Sequence, residues 1–378
     1  MSILSGNGGT GGTGGTGGTG GTGGTGGTGG TGGLNFTGLG AFLGAGADPV
    51  YDPVLVQGLQ IAEQSITHVA TPIAPPATIH PLGFSKPDNM ALWADWVRSS
   101  VYLTEFLKEL DWEVSGKPQQ VVVRYGAGKG REFVTLHRPT MKTFAEQLPF
   151  MRAYLDQRTD RAPEIMTQLG FPTPYFAMVL GLQTVNRYTF ELIGITQVLA
   201  SHVAMVVKHH MACRRPGRIG AQVMPMIPTP AHGSFPSAHA TEAYAVAQVL
   251  RSLVDRHHKH YADFEQRKAL LGKLAERIAV NRTVAGVHYP IDTWAGAILG
   301  RAVGQIILAK CNVAKNVDRY EYSAQGQRDF YHKEFEKEAN KDFGVTKSGQ
   351  FAPGPSEVFT WLWRKADDEF DLHNGSSS

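Results

Sequence analysis

The chain has 378 residues, 42% hydrophobic and 18% charged, a globular balance that can bury one large core or two small ones. A formal net charge of +3 is too small to argue for a nucleic-acid partner or an anionic membrane surface. The two cysteines, Cys213 and Cys311, lack C-x-x-C spacing, which excludes a disulfide framework and leaves reduced thiols as the expectation.

The N-terminus, MSILSGNGG, shows neither a charged n-region nor an apolar run, so no secretory signal is expected. A strict Gly-Gly-Thr repeat then fills residues 8–33. Such a tract reads as a flexible tether. Its period of three also fits an extended helix with three residues per turn, in which Thr10 to Thr31 form one edge and two glycine edges face other chains. On that reading the repeat assembles a homo-oligomer or filament.

Residues 34–90 are rich in Gly, Pro and Ala, with a short helix expected near Leu55–Ile66. From Ala91, ALWADWVRSSVYLTEFLKEL has apolar residues at helical spacing. QQVVVRY and REFVTLH flank GAGKG and predict a small hairpin; GAGKG lacks the G-x-x-x-x-G-K-[ST] pattern and a following helix, so it is not read as a phosphate loop. Between Met141 and Cys311 helices are expected over 141–156, 174–213, 237–256, 264–284 and 290–310, and the fold class is therefore all-α, a helical bundle. The longest uncharged stretch, Ile165–Asn186, contains Pro172 and Pro174 and reads as a loop and a buried helix. No membrane span is expected, and the location is expected to be cytoplasmic or reached by a non-standard export route. The charged, aromatic tail after Asn312 is expected to cover the bundle or contact a second copy. The domain boundaries are thus 1–33, 34–312 and 313–378.

Three segments carry chemistry. In KHHMACRRPG, Lys208 and Arg215 lie two helical turns apart and point the same way, with Pro216 ending the helix behind Arg215. Alone, this is also an ordinary basic helix end. In HGSFPSAHATEAYAVAQVL, Ser237 opens a helix whose inner face holds His239, Ala243, Val246, Leu250 and Leu253. Free N–H groups there make an anion site, although a serine cap with a buried histidine has the same signature. In NRTVAGVHYPIDTWAGAILG, Arg282 shares a helix face with Leu271, Leu274 and Ile278, and Asp292 is placed to accept from one nitrogen of His288. Cations, a helix N-terminus, a hydroxyl and two imidazoles suit a tetrahedral oxyanion.

K-x6-R-P at Lys208–Pro216, P-S-x-H at Pro236–His239 and R-x5-H-x3-D at Arg282–Asp292 resemble the three-part signature uniting type-2 phosphatidic acid phosphatases, bacterial acid phosphatases and vanadium-dependent haloperoxidases. The resemblance covers Val203–Gly304. Two positions depart from it. Ala238 replaces the usual glycine, keeping the N–H but adding a methyl group beside the oxyanion, and Asn281 replaces the usual serine, an exchange expected to spare the site.

The resemblance implies that Lys208, Arg215, Arg282, Ser237 and the Ala238 amide hold phosphate. It further implies that His288 attacks phosphorus and forms a phosphohistidine, that Asp292 orients it, and that His239 serves as acid and then base. The substrate would be a small phosphate ester. The alternative is a bromide- or iodide-type haloperoxidase using halide and peroxide, with vanadate as cofactor and His288 as its metal ligand. His232 resembles an accessory histidine of those enzymes, whereas Met205 stands where they often carry tryptophan. A phosphatase needs no cofactor. A third possibility is a structural, filament-forming protein on the same scaffold. DRHHKHYADF at Asp255–Phe264 is histidine-dense but reads as a solvated helix end.

Overall fold

A computed structural model of the chain describes residues 53–69 and 80–371. The Gly-Gly-Thr repeat, and with it the expectation of assembly through residues 8–33, lies outside the described residues. The chain divides into two compact units, the first ending at Trp96 and the second running on from Val97. In the first unit the described elements are helix α1 (Pro53–Val69) and a 3-10 turn at Pro87–Leu92.

The second unit holds the chemistry-bearing segments. After α2 (Asp95–Leu107) come strands β1 (Leu110–Gly116), β2 (Gln119–Tyr125) and β3 (Arg131–His137), an antiparallel meander with Val121 opposite Leu136. GAGKG is the β2–β3 turn. A side chain at Gly130 (φ 63°) would press to 2.9 Å from the Tyr125 backbone, so glycine is required there. Then follow α3 (Met141–Ala153), α4 (Arg158–Thr167), α5 (Thr173–Leu180), α6 (Arg187–Met211), α7 (Ala238–Arg256), α8 (Phe264–Val284) and α9 (Pro290–Lys310). The tail contributes β4 (Val317–Tyr322), the short α10 (His332–Phe335), β5 (Val345–Phe351) and α11 (Glu357–Asp371).

The all-α expectation is corrected by a five-stranded mixed sheet in the order β1-β2-β3-β4-β5. The β2–β3 hairpin was visible as two β-rich runs. β1 is largely exposed and carries no apolar run, and β4 reaches β3 in parallel from the far end of the chain, Val134 pairing with Tyr320. A non-local parallel pairing leaves no local sequence signal. The tail is therefore part of the fold of this unit: Trp294 of α9 packs edge-on against Phe330 at 5.1 Å, and Gln305 of α9 bonds Asp318 of β4.

The helix expected over 174–213 is two helices, parted where Gly181 takes a left-handed φ of 70° and caps α5. The expectation of no membrane span is also corrected. By length and composition Arg187–Arg218 is long and apolar enough to cross a membrane, though most of that stretch is buried inside the fold. Glu191 and Lys208 interrupt it, so it is not the longest uncharged stretch of the sequence. The cytoplasmic or non-standard location inferred from that absence falls with it.

The core centres on α9, sequence PIDTWAGAILGRAVGQIILAK, which is almost wholly buried. Gly296, Gly300 and Gly304 line one face at helical spacing. A Cβ on Gly296 would lie 2.4 Å from Ser237 O, and one on Gly300 would lie 2.3 Å from Thr241 O. Without side chains there, the backbones of α7 and α9 come into contact, and the start of α7 lies beside the start of α9.

Candidate active site

Ser237 N–H donates to Asp292 O at 2.9 Å, joining the first turns of α7 and α9. Ser237 also caps α7, its Oγ accepting Ala240 N–H at 3.3 Å. Asp292 stands in the first turn of α9, where a carboxylate is favoured by the helix dipole. Its Oδ2 accepts from Tyr289 N–H at 3.0 Å, from Ser234 Oγ at 2.7 Å and meets His288 Nδ1 at 2.9 Å. Asp292 Oδ1, by contrast, has no partner.

A tight turn brings His288 back to Arg282, since Val287 N and His288 N both point to Arg282 O, at 3.1 and 3.3 Å. Gly286 makes it possible: its φ is 83°, and a Cβ would meet Pro225 Cα at 3.1 Å. α6 ends earlier than the sequence suggested, with Ala212 left-handed at φ 48°, so Arg215 sits on an extended loop instead of a helix end. It still reaches the site. Arg215 Nη1 donates to Val287 O at 2.8 Å and lies 2.9 Å from His288 Nε2, while Nη2 lies 3.1 Å from His232 Nδ1. Lys208 Nζ donates to Gly233 O at 3.0 Å and Ser234 O at 2.9 Å, leaving one of its three protons.

On the opposite side, Arg282 Nη1 donates to Gln168 O at 3.0 Å and Nη2 reaches Gln168 Oε1 at 3.3 Å; Nε–H, buried, has no partner. His239 Nε2 lies 2.9 Å from the same Gln168 O. Lys208, Arg215, Ser234, His288, Asp292 and Arg282 are all buried. Ser237 and Ala238 are buried too, at the start of α7, and His232 lies on the exposed rim.

Electrostatics follow from this crowding. Burial, then Arg215 and Lys208, push His288 well below the usual imidazole range. Burial, then Arg282, hold His239 down to about 3. His232, half enclosed at the rim, is lowered to about 4 by partial desolvation, then by Lys208 and Arg215. Burial lowers the Arg282 guanidinium to about 10. Burial raises the Asp292 carboxyl, opposed by the Ser234 hydroxyl, Lys208 and the Tyr289 amide. The site is thus a cationic, desolvated pocket with neutral imidazoles and an orphaned guanidinium N–H, the inventory an oxyanion satisfies.

Three further residues touch this site: Ser234, Asn281 and Gln168. Ser234 lies inside the quoted HGSFPS run and could have been noticed as a hydroxyl beside the motif. Asn281 was noticed only as a departure from a family pattern. Gln168 carries no signal, because it belongs to an unrelated loop that only tertiary structure brings in. Among the described residues, no group of three or more His, Cys, Asp or Glu could hold a metal ion. In the histidine-dense run, His257 Nε2 bonds Asp367 at 2.8 Å and His258 Nδ1 meets Asp255 O at 3.0 Å.

Residues 190–314 match the family described as the PAP2 superfamily. The curated relatives include decaprenylphosphoryl-5-phosphoribose phosphatase of Mycobacterium tuberculosis, 31% identical over 32% of this chain and 61% of the relative. The same-named protein of Mycolicibacterium smegmatis is 32% identical over 30% of this chain and 56% of the relative. The chain therefore spans about 60% of the length of the curated relatives it matches. A solved structure, described as the first transmembrane PAP2 type phosphatidylglycerolphosphate phosphatase from Bacillus subtilis, is 20% identical over 44% of this chain and 85% of that one. Its TM-score is 0.36, a likeness too slight to define the fold.

Proposed function

We propose that this chain, a member of the PAP2 superfamily through residues 190–314, is a phosphohydrolase that cleaves a phosphate monoester through a phosphohistidine. The observation that carries the reading is the His288–Asp292 pair at 2.9 Å with Arg215 2.9 Å from the other ring nitrogen and Lys208 nearby, while Arg282 lies near His239. With Nδ1–H held by Asp292, the lone pair of His288 lies on Nε2, directed at Arg215. An incoming phosphate takes the Arg215 N–H groups onto its own oxygens and frees that lone pair. His288 Nε2 then forms a bond to phosphorus in line as the P–O bond to the leaving alcohol breaks, and His239 gives that oxygen a proton. In the second step His239 takes a proton from water, water oxygen bonds to phosphorus, and the P–N bond breaks to release phosphate. Positioning and charge supply most of the rate in such a transfer.

At its resting value of about 3, His239 is neutral. A phosphate dianion placed between it and Arg282 raises its pKa, so substrate brings the acid into its working form. The relatives' name supports a lipid-borne phosphate as substrate. Lys208, Arg215, Arg282 and His288 would also hold vanadate, which makes this oxyanion a useful competitive probe.

The test is phosphate release from a generic monoester and from a polyprenyl phosphate ester in detergent, with wild type and His288→Ala. Release that vanishes in the variant supports the reading. Wild-type silence on both substrates, or release that survives His288→Ala, overturns it, and vanadate-dependent bromide oxidation by peroxide would replace it.

A further inference from the structure

Gln168 is the first residue after α4, and it enters the site from outside all three motif segments. It is fully buried. Its main-chain oxygen accepts from both His239 Nε2 and Arg282 Nη1, at 2.9 and 3.0 Å. Its carboxamide oxygen accepts from Arg282 Nη2 at 3.3 Å and from Asn281 Nδ2 at 2.9 Å, while its Nε2 donates to Glu164 at 3.3 Å. Asn281 in turn accepts from Arg161 Nη1 at 3.1 Å, and Glu164 is held by Arg277 at 2.9 Å. One residue thus occupies the outward donors of the cation and one nitrogen of the imidazole that the proposed reaction uses.

We infer that Gln168 is a positioning residue of the oxyanion site, aiming Arg282 through its carboxamide and fixing the His239 tautomer through its carbonyl. The inference rests on the phosphohydrolase reading and adds a residue from outside its motifs. The carbonyl can only accept, so His239 carries its proton on Nε2 and presents an unprotonated Nδ1 for exchange with substrate and water. The carboxamide is neutral. It orients Arg282 without cancelling its charge, and the Nε–H that lacks a partner remains for the anion. A carboxylate at the same place would orient the guanidinium as well but would compete with phosphate for it. Asn281 is then more than a neutral exchange for serine, since its longer side chain spans from Arg161 to the Gln168 carboxamide.

The experiment compares wild type, Gln168→Met and Gln168→Glu in two readouts, kcat/KM for a generic phosphate monoester and the affinity for inorganic phosphate by calorimetry, across pH. Methionine keeps the volume and the main-chain acceptor and removes the carboxamide acceptor of Arg282 and Asn281. Losing a hydrogen bond to a charged group predicts a fall of about 10- to 100-fold in both readouts for Gln168→Met, at every pH. Gln168→Glu is expected to be impaired at neutral pH and to recover as pH falls through the pKa of the introduced carboxyl, because the protonated acid resembles the amide. A purely structural role gives no such recovery. Gln168→Met within twofold of wild type in both readouts overturns the proposal, as does a flat pH profile for Gln168→Glu. Where Gln168→Met does not fold, the Gln168→Glu profile decides. Wild type that binds phosphate but does not hydrolyse the ester overturns the reaction alone, and phosphate affinity then judges Gln168; wild type that does neither overturns both.

Discussion

Asp292 serves three donors with a single oxygen: Tyr289 N–H closes the first turn of α9, Ser234 brings in the loop before α7, and His288 brings in the proposed nucleophile. Asn at this position can keep one acceptor oxygen but presents N–H to whatever faces its other side, so the His288 tautomer is no longer fixed. Asp292→Asn is expected to lower kcat on the order of 10³-fold with little change in KM, read by steady-state kinetics on a phosphate monoester. Ser234→Ala removes one of the three donors and leaves the His288–Asp292 hydrogen bond, so its loss should be nearer 10-fold. Equal losses in the two variants would show that the carboxylate is not what orients His288. The cations, imidazoles and carboxylate of this site were legible because each falls at fixed spacing within a short segment. Gln168 was not, because its role depends on where the end of α4 is packed, and no local pattern encodes that.

At the scale of elements, the close approach of α7 and α9 sets the distance between Ser237 and Asp292. A Cβ on Gly300 would lie 2.3 Å from Thr241 O and one on Gly296 2.4 Å from Ser237 O, whereas one on Gly304 would meet Gln248 Cβ at 2.8 Å and Ala245 O at 3.0 Å, a less severe overlap. Gly300→Ala should therefore cost more than Gly304→Ala. A difference of about 1–3 kcal/mol is expected in urea unfolding, with the larger loss accompanied by lost activity as the two helix starts separate. Equal costs would mean that the helices can slide apart freely. A second element-scale contact is Glu369 of α11, whose carboxylate accepts from Tyr188 N–H at 2.7 Å and Thr189 N–H at 2.9 Å and so caps α6 from a distant part of the chain. Glu369→Gln removes the charge at that helix start and should lower stability by about 1 kcal/mol. The long helices between Met141 and Cys311 were legible from period and punctuation, but α4 and α11 were not, and the 174–213 run hid the break at Gly181. The cap and β4 were not, since each is completed by a partner far away in sequence.

At the scale of the whole molecule, the buried cationic pocket ties stability to pH. His288 and His239 are held neutral in the folded state, well below the value of about 6.5 an unfolded chain shows. Between the two values the unfolded chain binds more protons, so stability rises with pH there. This contribution is complete above about pH 6.5 and is lost as pH falls, by at most about 1.4 kcal/mol per pH unit for each histidine. Asp292, with its carboxyl raised by burial, works in the opposite direction at lower pH, because the folded state then binds the extra proton. His288, His239 and His232 together outweigh the two raised carboxyls, Asp292 and the neighbouring Glu242, so the site's own contribution to stability falls on acidification from pH 7 to pH 5. His239→Gln, which cannot charge, should lose less over that interval than wild type in urea unfolding. Sulfate, an oxyanion that stays doubly charged across this interval, should offset part of the wild-type loss, because an anion that binds only the folded state stabilises it and favours the imidazolium beside it. Its stabilisation is therefore expected to grow as pH falls from 7 to 5. Parallel pH profiles for wild type and His239→Gln, or sulfate stabilisation that shrinks steadily from pH 7 downward, would show that the pocket does not couple anion binding to protonation of His239.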